Sequence, residues 1–100
     1  MRQTSLYRNG GATMNKNFIP KIACRFKIRK DPNDTYLGFF HLKGVLTFNE
    51  IGAYIVSNID GKRTIDDIAN QVNAKFSAVE NPLSEVKNIV KQLQNAGFIS

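Results

Sequence analysis

The chain has 100 residues, of which 42% are hydrophobic and 22% are charged, a composition typical of one small globular domain. A domain of this length buries only about 60 to 65% of its unfolded surface, which leaves little material for a deep enclosed active site. The single cysteine, Cys24, excludes an internal disulfide, and we find neither a signal segment nor an apolar run long enough to span a membrane. These features predict a cytoplasmic protein that acts through its surface.

The formal net charge of +6 is unevenly distributed along the chain. Residues 1–44 hold nine Lys and Arg against two Asp, a net charge of +7, whereas residues 45–100 hold five Lys and Arg against six acidic residues, a net charge of −1. A basic front half favours an acidic partner, either a peptide or a nucleic acid, although a basic surface that only keeps the chain soluble is an equal alternative.

Residues 1–17 are polar, contain the Gly10-Gly11 pair and show no periodicity, so we predict a flexible tail there and a single domain over residues 18–100. Apolar and basic residues then alternate over residues 21–29, the period of two that marks a half-buried strand. A turn over residues 30–34 leads to a second predicted strand over residues 36–42.

Lys43-Gly44 is predicted to form a tight turn, because glycine accepts a positive φ, and Val45 to Phe48 form a short third strand. Three helices are predicted after it. Asn49 is the N-cap of the first, which ends at Asp60-Gly61, and a capping box with Asp in place of Glu, Thr64-Ile65-Asp66-Asp67, begins the second.

The third helix is predicted to begin at Asn81-Pro82, the N-cap and the first helical residue, and its inward stripe includes Val86 and Val90. Gly97 is predicted to end that helix in a Schellman motif, in which Phe98 contacts Leu93. The order predicts an α+β fold that is winged-helix-like, with a three-stranded antiparallel sheet followed by a three-helix bundle.

Residues that carry catalysis or bind metals are scarce. His41 is the only histidine, and we interpret it as a surface or structural residue, while Cys24 has the inward parity of a buried, inert thiol. Asp66 and Asp67 are neighbouring carboxylates, but two acids in the first turn of a helix complement the helix dipole. We therefore predict a protein that is not an enzyme and that has no catalytic residues, no metal site and no cofactor.

Two motifs and the last residues of the chain are similar to the pattern of a known family. The first motif is Phe48-Asn49-Glu50-Ile51-Gly52-Ala53-Tyr54-Ile55. The second motif is Ile59-Asp60-Gly61-Lys62-Arg63-Thr64-Ile65-Asp66-Asp67-Ile68-Ala69, and the ending is Ala96-Gly97-Phe98-Ile99. Together they resemble the PqqD-like peptide chaperones, the recognition elements of pathways that modify ribosomally made peptides. The resemblance extends from about Pro20 to Ile99, and the sequence departs from the pattern at Phe48, where Leu is usual, and at Val56, where Trp is common.

The resemblance implies a function. Members of this family bind the leader segment of a precursor peptide as an added strand between the third strand and the third helix, and present the peptide to a modifying enzyme, often a radical SAM protein. The precursor peptide and that enzyme are thus the implied partners, and no membrane is involved. Carried onto this chain, the implied peptide-binding residues are Lys43, Val45, Leu46, Thr47, Phe48, Val86, Lys87, Val90, Lys91 and Gln94.

Two questions stay open at this stage. Lys87, Lys91 and Gln94 form one stripe of the third helix, which either faces the peptide or is plain solvated surface, and either parity of the third strand could face the core. The alternative function is a winged-helix nucleic-acid-binding protein, favoured by the pI near 9.7. Charge placement argues against it, because acidic residues at the starts of the second and third helices repel phosphates.

Overall fold

The computed structural model describes residues 15–99 of the chain. Its element order confirms the predicted α+β fold, a three-stranded antiparallel sheet followed by three helices. Of the tail predicted over residues 1–17, residues 1–14 lie outside the described part of the chain. The elements are β1 Phe26–Lys30, β2 Tyr36–Phe40, β3 Gly44–Phe48, α1 Glu50–Ser57, α2 Ile65–Lys75 and α3 Pro82–Asn95.

The sheet has the strand order β1-β2-β3, with β2 in the centre and both neighbours antiparallel to it. Phe26 lies opposite Phe40, and Phe40 lies opposite Gly44, so these positions share one face. Phe40 and Phe48 are buried on that face, and their rings leave no room for a side chain at Gly38, whose Cβ would lie 2.8 Å from the Phe48 ring and 2.9 Å from the Phe40 ring. The inner face of the sheet is therefore closely packed aromatic core.

The hairpin between β2 and β3 differs from the prediction of a tight turn at Lys43-Gly44. The turn runs from Phe40 to Lys43, where the Lys43 N–H donates to the Phe40 carbonyl over 2.9 Å, and Leu42 has a φ of 62°. Gly44 has the predicted positive φ, 134°, but is already part of β3. A two-residue turn at positions 43 and 44 would pair Phe40 with Thr47 and place Phe48 on the opposite face, so the burial of both aromatic rings selects the longer loop.

The first strand is shorter than the predicted run over residues 21–29, because β1 begins only at Phe26. The alternation of exposed and half-buried residues nevertheless continues back to Lys21. Ile22 forms an isolated bridge with Ile99, and the Ala23 N–H donates to the Phe98 carbonyl over 2.9 Å. The early part of the run thus pairs with the end of the chain, since β2 ends at Phe40 and offers no further ladder.

The predicted helix starts are confirmed by their side-chain caps. The Asn49 side chain accepts from the Gly52 N–H over 2.7 Å, and the Asn81 side chain accepts from the Ser84 N–H over 3.1 Å. At α2 the capping box is complete, because the Thr64 hydroxyl accepts from the Asp67 N–H and the Asp67 carboxylate accepts from the Thr64 N–H, both over 3.0 Å.

The helix ends match the prediction at α3 and differ at α1. The Phe98 N–H donates to the Leu93 carbonyl, the Gly97 N–H donates to the Gln94 carbonyl and Gly97 has a φ of 83°, which together make the predicted Schellman motif. The first helix ends at Ser57 rather than at Asp60-Gly61. The Asn58 side chain donates to the Tyr54 carbonyl over 2.9 Å, and that bond ends the helix while Ile59 turns into the core.

The core lies between the sheet and the helices, and the described segments before β1 and after α3 close it. The Phe40 ring stacks on Phe98 with 4.4 Å between centroids and on Phe26 with 5.8 Å. At the start of the described chain, the Lys16 and Phe18 carbonyls accept from the Asp66 and Ile65 N–H groups, two donors that an α-helix leaves without intrahelical partners. The segment before the sheet is thereby tied to the start of α2.

Candidate peptide-binding edge

The strand β3 lies at one edge of the sheet, and no other strand of residues 15–99 pairs with the outer side of its backbone. No backbone hydrogen bond joins Val45 or Thr47 to any turn, loop or cap of residues 15–99. An unpaired strand edge is a row of N–H donors and C=O acceptors to which another chain can add. The same is true of the outer edge of β1, which serves below as an internal comparison.

The hydrogen-bond phase of the sheet determines which residues of β3 face outward. The His41 N–H donates to the Arg25 carbonyl over 2.8 Å and the Asp31 N–H donates to the Thr35 carbonyl over 2.7 Å, so the odd-numbered residues of β2 bond to β1. Antiparallel ladders alternate, and the even-numbered residues of β2 therefore bond to the even-numbered residues of β3. The N–H and C=O groups of Val45 and Thr47 consequently point away from the sheet.

The same alternation answers the question of parity in β3. Phe48 is buried and Leu46 is half-buried, which places both side chains on the inner face. Val45 is 53% exposed and Thr47 is exposed, on the outer face. A peptide strand added at this edge would thus bond to the backbone of Val45 and Thr47, and its own inward side chains would lie next to Leu46.

The absence of a side chain at Gly52 brings α3 close to the first turn of α1. A Cβ at Gly52 would lie 3.1 Å from the Ile89 Cδ1 and 3.3 Å from the Phe48 Cβ, so the absence of a side chain lets the first turn of α1 sit between strand and helix. Ile89 and Leu46 are both half-buried and both pack on the core. Leu46 leaves apolar surface next to the free edge of β3, and Ile89 leaves apolar surface next to the first turn of α1, which directly follows β3.

The residues predicted on α3 do not gather at this edge. Val86 and Val90 are completely buried in the core and offer no surface to a peptide. Lys87 and Lys91 lie two positions before and after Ile89, which at 3.6 residues per turn is about 160° around the helix from it. Their part in peptide binding stays a prediction.

The flank of α3 that carries Lys87 faces α2. Leu83, one turn before Lys87, lines a shallow groove with Ala69 and Asn73 of α2. Gln94 is five positions beyond Ile89, about 140° around the helix, and lies on the same distant flank. The periodicity of apolar residues predicts the inward stripe of α3, but it carries no information on which flank of the helix faces the sheet.

The predicted peptide-binding residues of the third strand lie next to one another. Val45, Leu46, Thr47 and Phe48 are consecutive in β3, and Lys43 is exposed at its start. Lys43 is therefore the cation of the predicted set that lies nearest to the free edge.

The Asp-Gly-x-Arg-Thr motif forms a turn between α1 and α2. The Asp60 carboxylate accepts from the Lys62 and Arg63 N–H groups, both over 2.9 Å, and from the Arg63 guanidinium over 3.2 Å. These backbone N–H groups, with the charge of Arg63, hold the pKa of Asp60 below its ordinary value. Gly61 has a φ of 77°, and the motif is thus explained by the turn it builds.

Residues 15–99 contain no group of three or more His, Cys, Asp or Glu side chains placed to hold a metal ion. Cys24 is half-buried against the core, and His41 is exposed in the hairpin turn. Within the described part of the chain no helix is both long enough and apolar enough to cross a membrane.

These features define a class of protein: a small α+β domain with a three-stranded antiparallel sheet followed by three helices, in which no strand of the described residues pairs with the outer edge of β3. The family model described as coenzyme PQQ synthesis protein D (PqqD) matches residues 39–99, which is more than half of the chain, and the chain belongs to this family. Membership implies a peptide-binding adaptor connected with the synthesis of PQQ or of another modified ribosomal peptide.

The family match begins at Phe39, in β2, and so leaves β1 outside it, whereas the resemblance in the sequence extends from about Pro20. No curated protein and no solved structure matches the chain.

Proposed function

We propose that this protein is a non-catalytic adaptor that captures the leader segment of a ribosomally made precursor peptide by strand addition on β3 and presents it to a modifying enzyme of the radical SAM class. The observation that carries the proposal is the unpaired edge of β3, where the N–H and C=O groups of Val45 and Thr47 point outward. Family membership supports a peptide as the added strand.

The proposal assigns separate roles to backbone and side chains. Main-chain hydrogen bonds to Val45 and Thr47 give affinity without requiring a particular peptide sequence. Apolar leader residues pack on Leu46 and Ile89, and acidic leader residues meet Lys43. Tethering the precursor in this way raises its concentration at the enzyme to as much as about 1 mM with a short linker, so moderate leader affinity is sufficient.

Thr47→Pro tests the strand addition. The substitution removes the outward N–H of Thr47, and we expect leader affinity to fall about tenfold, since one hydrogen bond and the approach of the guest strand are both lost. The measurement is an amide NMR titration with the leader segment of the precursor encoded beside this chain. In the wild type, we expect shifts clustered at residues 43–48 and around Ile89.

Lys30→Pro is the matched control. Lys30 is exposed, and its N–H points outward at the other free edge, that of β1, by the same alternation. This variant should bind the leader as the wild type does. Equal losses in both variants, or unchanged affinity in a folded Thr47→Pro variant, would place the peptide away from β3.

Two variants on α3 locate the side of the helix that the leader contacts. We expect Ile89→Ala to weaken binding several-fold by removing apolar surface next to the first turn of α1, which directly follows β3. Lys87→Glu combined with Lys91→Glu should change affinity by less than about threefold, since both lysines lie on the flank away from Ile89. A large loss in the charge-reversed variant alone would move the binding seam to the α2 side of α3.

Besides the basic pI, a nucleic-acid-binding function is favoured by the row of basic side chains Arg25, Lys27 and Arg29 along the exposed side of the first strand region. Against it, Asp66 and Asp67 occupy the first turn of α2. A DNA duplex titrated in parallel tests this function, and shifts with DNA alone would overturn the adaptor proposal.

A further inference from the structure

The outer face of the sheet carries an apolar centre that none of the described elements covers. Among residues 15–99, four large apolar side chains are strongly exposed, and three of them belong to the β2–β3 hairpin: Phe39 at 37%, Leu42 at 94% and Val45 at 53%. Phe39 lies directly opposite Val45 in the register, so their side chains are neighbours on one face. Exposed apolar residues that cluster in this way mark an interaction surface.

Basic residues border this centre on the side of β1. Lys27 lies opposite Phe39, Arg29 lies opposite Leu37, and Arg25 continues the column through the hydrogen bond between its carbonyl and the His41 N–H. All three side chains are exposed. The segments that form this face, residues 25–29, 37–43 and 45–47, contain no Asp or Glu. The outer face is therefore apolar in the centre and positively charged along one border.

We propose that this outer face docks a folded partner protein that presents an apolar patch bordered by carboxylates, and that this partner is the modifying enzyme, an assignment that rests on the proposed function. A second copy of the chain fits poorly, because two basic faces repel one another. Nucleic acid fits the basic column but has no apolar counterpart for Leu42 and Val45. An apolar core with a charged rim is the usual anatomy of a protein interface.

The position of the face suits delivery of a peptide. Val45 has its backbone at the free edge of β3 and its side chain on the outer face, so the two surfaces share a border. A leader added as a strand beside β3 would extend the sheet next to the docked enzyme. The leader and the enzyme would then occupy adjacent surfaces and bind at the same time.

The test uses variants that lie outside the leader-binding edge. Leu42→Gly removes the most exposed apolar side chain at a position where φ is 62°, a conformation that glycine adopts without strain, so the variant folds. Lys27→Glu combined with Arg29→Glu reverses the charge of the border. Ile19→Ser is the matched control, because Ile19 is 47% exposed and lies outside the hairpin.

The measurement is the affinity of each full-length variant for the modifying enzyme encoded beside this chain and, separately, for the leader segment. We expect Leu42→Gly and the charge-reversed variant each to weaken enzyme binding about tenfold, and the charge-reversed variant to lose most of its salt dependence. Ile19→Ser should bind the enzyme as the wild type does. Leader affinity should stay within about twofold of the wild type throughout.

The outcomes separate this proposal from the adaptor function. Unchanged enzyme affinity in both folded variants, or no binding of the enzyme by the wild type, overturns the docking face while leaving leader capture standing. Enzyme binding that responds as expected, with no leader binding by the wild type, overturns the adaptor function alone. Sedimentation velocity provides the remaining check: a wild-type dimer that Leu42→Gly dissociates would assign the face to a second copy. A DNA duplex that shifts the amides of this face would assign it to nucleic acid, and both results overturn the proposal.

Discussion

Leu42 holds an unusual position for a leucine. Its φ of 62° lies in the left-handed region, which costs about 1 to 2 kcal/mol for a residue with a Cβ, and its side chain is almost fully exposed. The position follows from the three-residue loop that the burial of Phe40 and Phe48 requires. Because the Leu42 side chain is exposed, packing in the core does not stabilise it there. Its exposed surface is available to the docking partner proposed above.

Leu42→Gly should raise the free energy of unfolding by about 0.5 to 1 kcal/mol. Relief of the left-handed strain outweighs the extra conformational entropy that glycine gives the unfolded chain, about 0.4 to 1 kcal/mol. Urea denaturation followed by circular dichroism measures the change. Leu42→Ala, which keeps a Cβ, should show no such gain, and a gain of equal size in both variants would mean that strain is not its source.

At the scale of elements, the local signals at the helix starts were sufficient to place them. Asn49, Thr64 and Asn81 each accept a backbone N–H through the side chain, as their positions before apolar stripes predicted. Strand lengths were less predictable, since β1 begins at Phe26, opposite the residue where β2 ends. A cap is a contact within four residues, whereas a ladder depends on a segment elsewhere in the chain.

Thr64→Ala should lower the free energy of unfolding by about 1 kcal/mol, because the capping box loses the acceptor for the Asp67 N–H. Thermal and chemical denaturation of the variant measure the loss. Thr64→Ser keeps the hydroxyl and should recover most of the stability. If serine and alanine are equally destabilising, the contribution of Thr64 comes from its methyl group and not from the cap.

At the scale of the whole molecule, the segment just before β1 is joined to the segment that follows α3. Ile22 bridges to Ile99, and Phe98 stacks on Phe40 at the centre of the inner sheet face. The Schellman ending of α3 directs Phe98 into this place. Phe98, which follows α3, thus completes the core on the inner face of the sheet.

Phe98→Ala should lower the free energy of unfolding by about 3 to 5 kcal/mol, a large part of the stability of a domain of this size. Differential scanning calorimetry should show the melting temperature falling by about 15 °C or more. Phe39→Ala is the control of the same residue type on the outer face, and it should cost no more than about 1 kcal/mol. Similar losses in the two variants would contradict the assignment of opposite faces.

The sequence by itself determined the element order, the helix caps, the Schellman ending and the family motifs, because each depends on residues close together in the chain. Only the tertiary structure decided the hairpin register, the length of β1 and the faces of Val45 and Leu46, since these require two strands to be paired. It also decided that Ile89 lies next to the first turn of α1. A helical stripe shows which residues are apolar, but only packing between elements shows which neighbour each flank of the helix meets.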